Sequence, residues 1–146
     1  MRISSKCRYG VAAMISIALS DADCVTIISI SEKLGISKIY LEQVFSLLKR
    51  AGLVTSIKGA QGGYQLAMPA DKITAGDIMR ASEIGLFESA ERSVSEQAAE
   101  IDRALEIGLW TPLDDAVSQA LSSITLQDLA DEVIRQRHGE DTMFYI

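Results

Sequence analysis

Gly35-Ile36-Ser37 is a corner that leaves few folds open. Before it, a short helical segment covers roughly Ile28–Leu34. After it, Lys38–Arg50 carries Leu41, Val44, Phe45 and Leu48 on one helical face. Gly35 can take a left-handed C-cap, and Ser37 can cap the helix that follows. Two helices joined by a short glycine-containing turn are the signature of a helix-turn-helix. Ala51-Gly52 stops the second helix, and Leu53-Val54-Thr55-Ser56-Ile57 reads as a strand. Lys58-Gly59-Ala60-Gln61-Gly62-Gly63 is a turn, and Tyr64-Gln65-Leu66-Ala67 returns. A hairpin at that place predicts the wing of a winged helix; a plain hairpin loop is the alternative. Gly59, Gly62 and Gly63 would permit positive φ or close approach to a phosphate.

Around this unit the chain is helical. Ser4 or Ser5 caps a first helix reaching about Ser20, with Val11, Met14, Ile15, Ala18 and Leu19 as its stripe. Thr74, three residues before Asp77, opens a short helix that ends near Glu83. Residues 86–110 keep an apolar stripe of Ala98, Ile101, Leu105 and Leu109, and Thr111-Pro112 reads as an N-cap with proline at the first helical position. Thr125 caps a last helix with Leu126, Leu129, Ala130 and Val133 inward. These C-terminal stripes predict pairing across a two-fold axis; folding back on their own domain is the alternative. The expectation is a mainly α fold with a small β-hairpin wing. Residues 1–83 form the winged domain, 84–137 the dimerisation helices, and 138–146 a polar linker with an apolar tail.

The net charge of −6 conceals a division. Residues 1–70 hold 8 Lys and Arg against 4 Asp and Glu, a net of +4, while residues 71–146 hold 6 against 16, a net of −10. Attraction to a polyanion depends on the local distribution. The first turn of Lys38–Arg50 is therefore expected in a DNA major groove. Glu42 can accept from a cytosine amine, and Gln43 can bond an adenine or guanine edge. Tyr40 offers a hydroxyl or a ring; Ser37 and Lys38 suit phosphates, as do Lys6 and Arg8 from the first helix. Lys58, with Gly59 and Gly62, would lie at the minor groove. A solvated surface is the alternative for each charge, and partial core packing for Tyr40.

Ile3-Ser4-Ser5-Lys6, Arg8-Tyr9-Gly10, Tyr40-Leu41-Glu42-Gln43, Ala51-Gly52-Leu53-Val54 and Lys58-Gly59-Ala60 with Gly62-Gly63-Tyr64 resemble the Rrf-two family of regulators. So do Ile73-Thr74-Ala75-Gly76-Asp77-Ile78, Leu109-Trp110 and Ile124-Thr125-Leu126-Gln127-Asp128-Leu129. The resemblance spans essentially the whole chain. It implies dimers on partly palindromic operators, with Tyr40, Glu42 and Gln43 as readers. Lys58 stands where the family usually has Arg, and a narrow minor groove favours Arg. Cluster-binding members carry three cysteines in the segment corresponding to Leu86–Trp110, which here has none. Thiolates are the main ligands of such clusters, so no iron–sulfur cofactor is expected.

The chain closes with Met143-Phe144-Tyr145-Ile146, apolar where termini are normally polar. Cysteine-metabolism repressors of the family end similarly, and so does serine acetyltransferase, whose terminal Ile enters O-acetylserine sulfhydrylase (cysteine synthase). The resemblance implies that enzyme as a partner, with Ile146 captured in its pocket. Packing of the tail on its own dimer is the alternative. Cys24, before the helix-turn-helix, is a candidate redox residue, though a small half-buried hydrophobe is the plainer reading. His138 is the single histidine, and no catalytic, P-loop or dinucleotide motif is present. The reading is a dimeric DNA-binding repressor of cysteine and sulfur genes, not an enzyme. It is expected in the cytoplasm, without membrane attachment. A family regulator answering to redox state or a small ligand, and a protein inhibitor of the sulfhydrylase, are the alternatives.

Overall fold

Local hydrogen bonds to Ser and Thr side chains mark where the first three helices begin. The computed structural model describes residues 2–60 and 62–144, with side chains described as far as Glu140. Helix α1 (Ser5–Ala18) starts at Ser4, whose hydroxyl accepts from the Cys7 amide. Helix α2 (Ile27–Leu34) starts at Thr26, and Gly35 ends it at φ 68°, a conformation a side chain resists. Helix α3 (Lys38–Arg50) starts at Ser37, whose hydroxyl accepts from the Tyr40 amide. The expected three-residue corner is therefore present, and the Ser31 hydroxyl closes it by donating to the Ile36 carbonyl at 2.6 Å.

The inward face of α3 fills the core. Leu41, Val44, Phe45 and Leu48 are fully buried against Ala13 and Met14 of α1 and Ile30 of α2. Burying each large side chain stabilises the fold by about 1.5–3 kcal/mol. Strand β1 (Val54–Ile57) pairs antiparallel with β2 (Gly63–Leu66), from Val54 opposite Leu66 to Ile57 opposite Gly63. The loop before α2 adds a further rung: Val25 and Tyr64 exchange two backbone bonds of 2.8 Å. A Cβ on Gly63 would stand 2.4 Å from the Val25 carbonyl oxygen, so only glycine fits beneath that rung. The Tyr64 ring stacks on Phe45 at 4.4 Å, fastening the wing to α3.

Helix α4 (Ala75–Ser82) opens with a reciprocal capping box, Thr74 and Asp77 each bonding the other's backbone amide at 3.0 Å. Thr125 and Asp128 repeat that device at the start of α7 (Leu126–Phe144). The two starts lie side by side, the Ala75 amide on the Ile124 carbonyl and the Leu126 amide on the Ile73 carbonyl, both at 2.8 Å. Between them, α5 (Ala99–Leu105), a π-turn at Glu106–Trp110 and α6 (Thr111–Ser123) follow one another without a break in helical backbone. Among the described residues no helix is long and apolar enough to cross a membrane.

Three expectations are corrected. Thr111 is not an N-cap: its backbone is helical at φ −63°, ψ −48°, and its amide bonds to the Glu106 carbonyl. Pro112 cannot join the helical ladder and its ring crowds the carbonyl four residues back; the wider π-turn just before it accommodates both effects. The stripe of the final helix, expected to pair across a two-fold axis, is at Leu126 and Ala130 buried within the chain itself, close to α1. Residues 138–144, expected as a polar linker and tail, continue α7. Tyr145 and Ile146 lie outside the described residues, as do the side chains of Met143 and Phe144.

Because Leu126 is fully enclosed, Leu126→Ala is expected to cost about 2–5 kcal/mol. Urea unfolding checks this; a loss below 1 kcal/mol would mean that α7 is not seated in the core.

Candidate nucleic-acid interface

The face of α3 opposite the core is a continuous exposed row. Ile39, Glu42, Gln43 and Ser46 follow one another at helical spacing, and all are exposed. A hollow of about 590 Å³ separates this row from Lys6, on the first turn of α1. Lys6 and the predicted readers Glu42 and Gln43 are therefore brought together. Lys38 is exposed at the head of the same helix. The Ser37 hydroxyl, while accepting from the Tyr40 amide, keeps its proton for an outside acceptor.

A second hollow, of about 400 Å³, lies between Ser5 and Tyr9 of α1 and Ser37 and Tyr40 of α3. Tyr40 is half-buried, its ring edge-to-face with Tyr9 at 5.2 Å. Its packing alternative is thus what the fold shows for the ring. Arg8 donates to the Ser5 hydroxyl at 3.0 Å with its guanidinium 6.0 Å from the Tyr9 ring centre. That contact holds an exposed cation at the same edge.

The hairpin presents Lys58 and Gly59, both exposed. Gly59 has φ 120°, and the Gly62 amide closes the turn on its carbonyl at 3.0 Å. A Cβ on Gly62 would meet the Ile57 carbonyl oxygen at 2.2 Å, so internal crowding is enough to require glycine there. Lys49 donates to the Ser56 hydroxyl at 2.8 Å and ties the last turn of α3 to the wing.

Sequence reasoning missed Ile39, Ser46 and Lys49. Ile39 was visible as an apolar residue off the Leu41–Val44–Phe45–Leu48 stripe; the Lys49–Ser56 bond depends on packing and had no local sign.

Behind this edge, the Ser4 amide donates to Glu83 Oε2 at 3.0 Å. Hydrogen bonds from Ser4 hold the Glu83 carboxyl below its ordinary range, so it is charged beside the start of α1, where a negative charge is favourable. Cys7 is buried in the same junction: burial pushes its thiol up, a Ser82 hydrogen bond opposes this, and the Glu83 charge adds to the rise. Such a thiol is a poor nucleophile. Cys24 is half-buried next to Val25, the residue that joins the wing.

The segment after α4 lies against the α5–α6 rod around a hollow of about 450 Å³. Arg92 Nε meets Asp102 Oδ2 at 2.9 Å, and the Ser93 amide donates to the same carboxylate at 3.0 Å. Burial raises the Asp102 pKa, but bonds from Ser93, Arg92 and Val94 outweigh it and the carboxyl ends below its usual range. Glu91, Arg103, Glu106 and Trp110 complete a lining of carboxylates, guanidinium groups and one indole, with no thiol.

The model of the Rrf2 family, described as an iron-dependent transcriptional regulator, matches residues 3–132. The HTH-type transcriptional regulator CymR of Bacillus subtilis is 42% identical over 147 residues, covering 100% of both chains. Its solved structure, described as the global cysteine regulator of B. subtilis, covers 90% of this chain and 98% of its own with a TM-score of 0.75. The oxidised form of Staphylococcus aureus CymR, 42% identical, covers 89% of this chain and 96% of its own with a TM-score of 0.68. The HTH-type transcriptional regulator IscR of Escherichia coli is 49% identical over 82 residues, 56% of this chain and 51% of that protein.

Two substitutions separate positioning from reading. Lys6→Ala is expected to weaken binding to all duplexes and to lower the slope of log K against log salt by about 0.9. Gln43→Ala should leave that slope alone and flatten preference at one base pair by about 1–3 kcal/mol. Fluorescence anisotropy across salt and sequence checks both; a Gln43 effect equal on every sequence would remove it from base readout.

Proposed function

Because the chain belongs to the Rrf2 family of DNA-binding transcriptional regulators, we propose that it is a homodimeric repressor of cysteine and sulfur metabolism genes. The observation that carries this reading is the full-length similarity to a regulator described as a global cysteine regulator. The paired form is supported by the α5–α6 rod. Ile101, Leu109 and Leu113 are exposed there, with Leu105 half-buried in the same four-residue spacing. A two-fold axis through such a row would bury it and present two α3 helices to two half-sites.

An iron–sulfur cluster does not fit the residues present. The hollow beside the rod offers carboxylates and guanidinium groups, and the chain's two cysteines lie elsewhere, Cys7 enclosed at the α1–α4 junction and Cys24 beside the wing. A regulator without such a cluster would take its signal by another route. We assign it to O-acetylserine sulfhydrylase, supported by the apolar sequence Met143-Phe144-Tyr145-Ile146.

A pull-down of the sulfhydrylase with the intact chain and with one lacking residues 143–146 tests this. Capture that needs those residues and is competed by O-acetylserine is expected. Equal capture by both chains would remove residues 143–146 from the contact, none by either would sink the partnership, and both leave the DNA-binding assignment standing.

A second reading is favoured by the position of Cys24. Its neighbour Val25 bridges to Tyr64, which stacks on Phe45 of α3, so oxidation to a sulfenic acid would act beside the rung that holds the wing. The S. aureus relative has been solved in an oxidised form. Peroxide is then expected to weaken operator binding by the native chain and not by Cys24→Ser; an equal loss in both would exclude this thiol as the sensor.

A further inference from the structure

Ile39 is the anomaly of the recognition surface. It is 72% exposed, on a row otherwise made of Glu42, Gln43 and Ser46. A single exposed apolar side chain is unremarkable on a surface in general. This one stands at the head of the helix row that faces away from the core, across a hollow from Lys6. Leu47, at the far end of the same hollow, is half-buried, and the neighbouring Tyr40 spends its ring on Tyr9. Ile39 has no such packing.

In the major groove, only the C5-methyl group of thymine gives an apolar side chain something to bury against. We propose that Ile39 is a specificity residue that selects a thymine in each half-site by contact with that methyl group. The inference rests on the DNA-binding reading above. Geometry limits where the thymine lies. Ile39 precedes Glu42 and Gln43 by three and four residues, about 4.5–6 Å along the axis. Successive base pairs are about 3.4 Å apart, so the thymine is one or two base pairs from those read by Glu42 and Gln43. Ile39 thereby extends the read sequence past what hydrogen-bonding side chains cover, and it does so without adding a charge near the phosphates.

The test leaves the protein intact in its first arm. An operator is selected from a random duplex pool with the full chain, and each thymine is then replaced by deoxyuridine, which removes only the methyl group. At one thymine per half-site, the native chain should lose about fourfold in affinity, the equivalent of one buried carbon. Ile39→Ser, exposed and therefore expected to fold normally, should bind the thymine and uracil duplexes equally. An enriched operator in which no thymine discriminates between the native chain and Ile39→Ser would overturn the inference and leave the function standing. Failure to enrich any operator would overturn both.

Discussion

Everything beyond the winged unit hangs on two backbone hydrogen bonds, those that lay the start of α7 beside the start of α4. They join Ile73 to Leu126 and Ala75 to Ile124, residues far apart in the chain. Each start is made rigid by its own Thr–Asp capping box, so the bridge is held between two preformed helix ends. Because the ends are fastened, residues 84–123 leave the end of α4 as an arm and return beside its start. The arm can present an apolar row outward while α7 resumes the core.

The reading surface depends on a different economy. Helix α3 has two occupied faces: Leu41, Val44, Phe45 and Leu48 lock it inward, and Ile39, Glu42, Gln43 and Ser46 are left outside. The Phe45–Tyr64 stack and the Lys49–Ser56 bond fasten the wing to this helix, and the Glu83–Ser4 bond fastens α1 to the arm's root. Helix, wing and α1 therefore share one rigid frame. Rigid support is what keeps side chains within reach of base edges without an ordering cost at each contact.

What could be read from the sequence was what local chemistry decides. Ser4, Ser37, Thr74 with Asp77, and Gly35 act within a few residues of themselves, and all occupy the expected places. The α7 stripe was legible as a stripe, but periodicity is silent on whether the covering surface is the chain's own or a partner's. Thr111-Pro112 misled because a capped helix start and a proline following a π-turn have the same composition. The stretch after Arg135 resembled an exit since it is polar all round, yet such a helix persists where side chains pair along it, as Gln127 with Asp131 and Gln136 with Glu132 do nearby. On the exposed face of α3, Glu42 and Gln43 were singled out for their hydrogen-bonding groups, and Ile39 was passed over because apolar residues are usually assigned to cores.

The seating of Leu126 in one core with Met14 and Phe45 has a consequence for how the protein is made. Synthesis runs from the N-terminus, and early domains ordinarily fold while later ones are still emerging. Here the first domain lacks part of its interior until Leu126 has left the ribosome. A truncated product ending inside the arm would carry α3 but not a closed core beneath it. The order of the chain thus withholds a finished winged domain until α5 and α6 already exist.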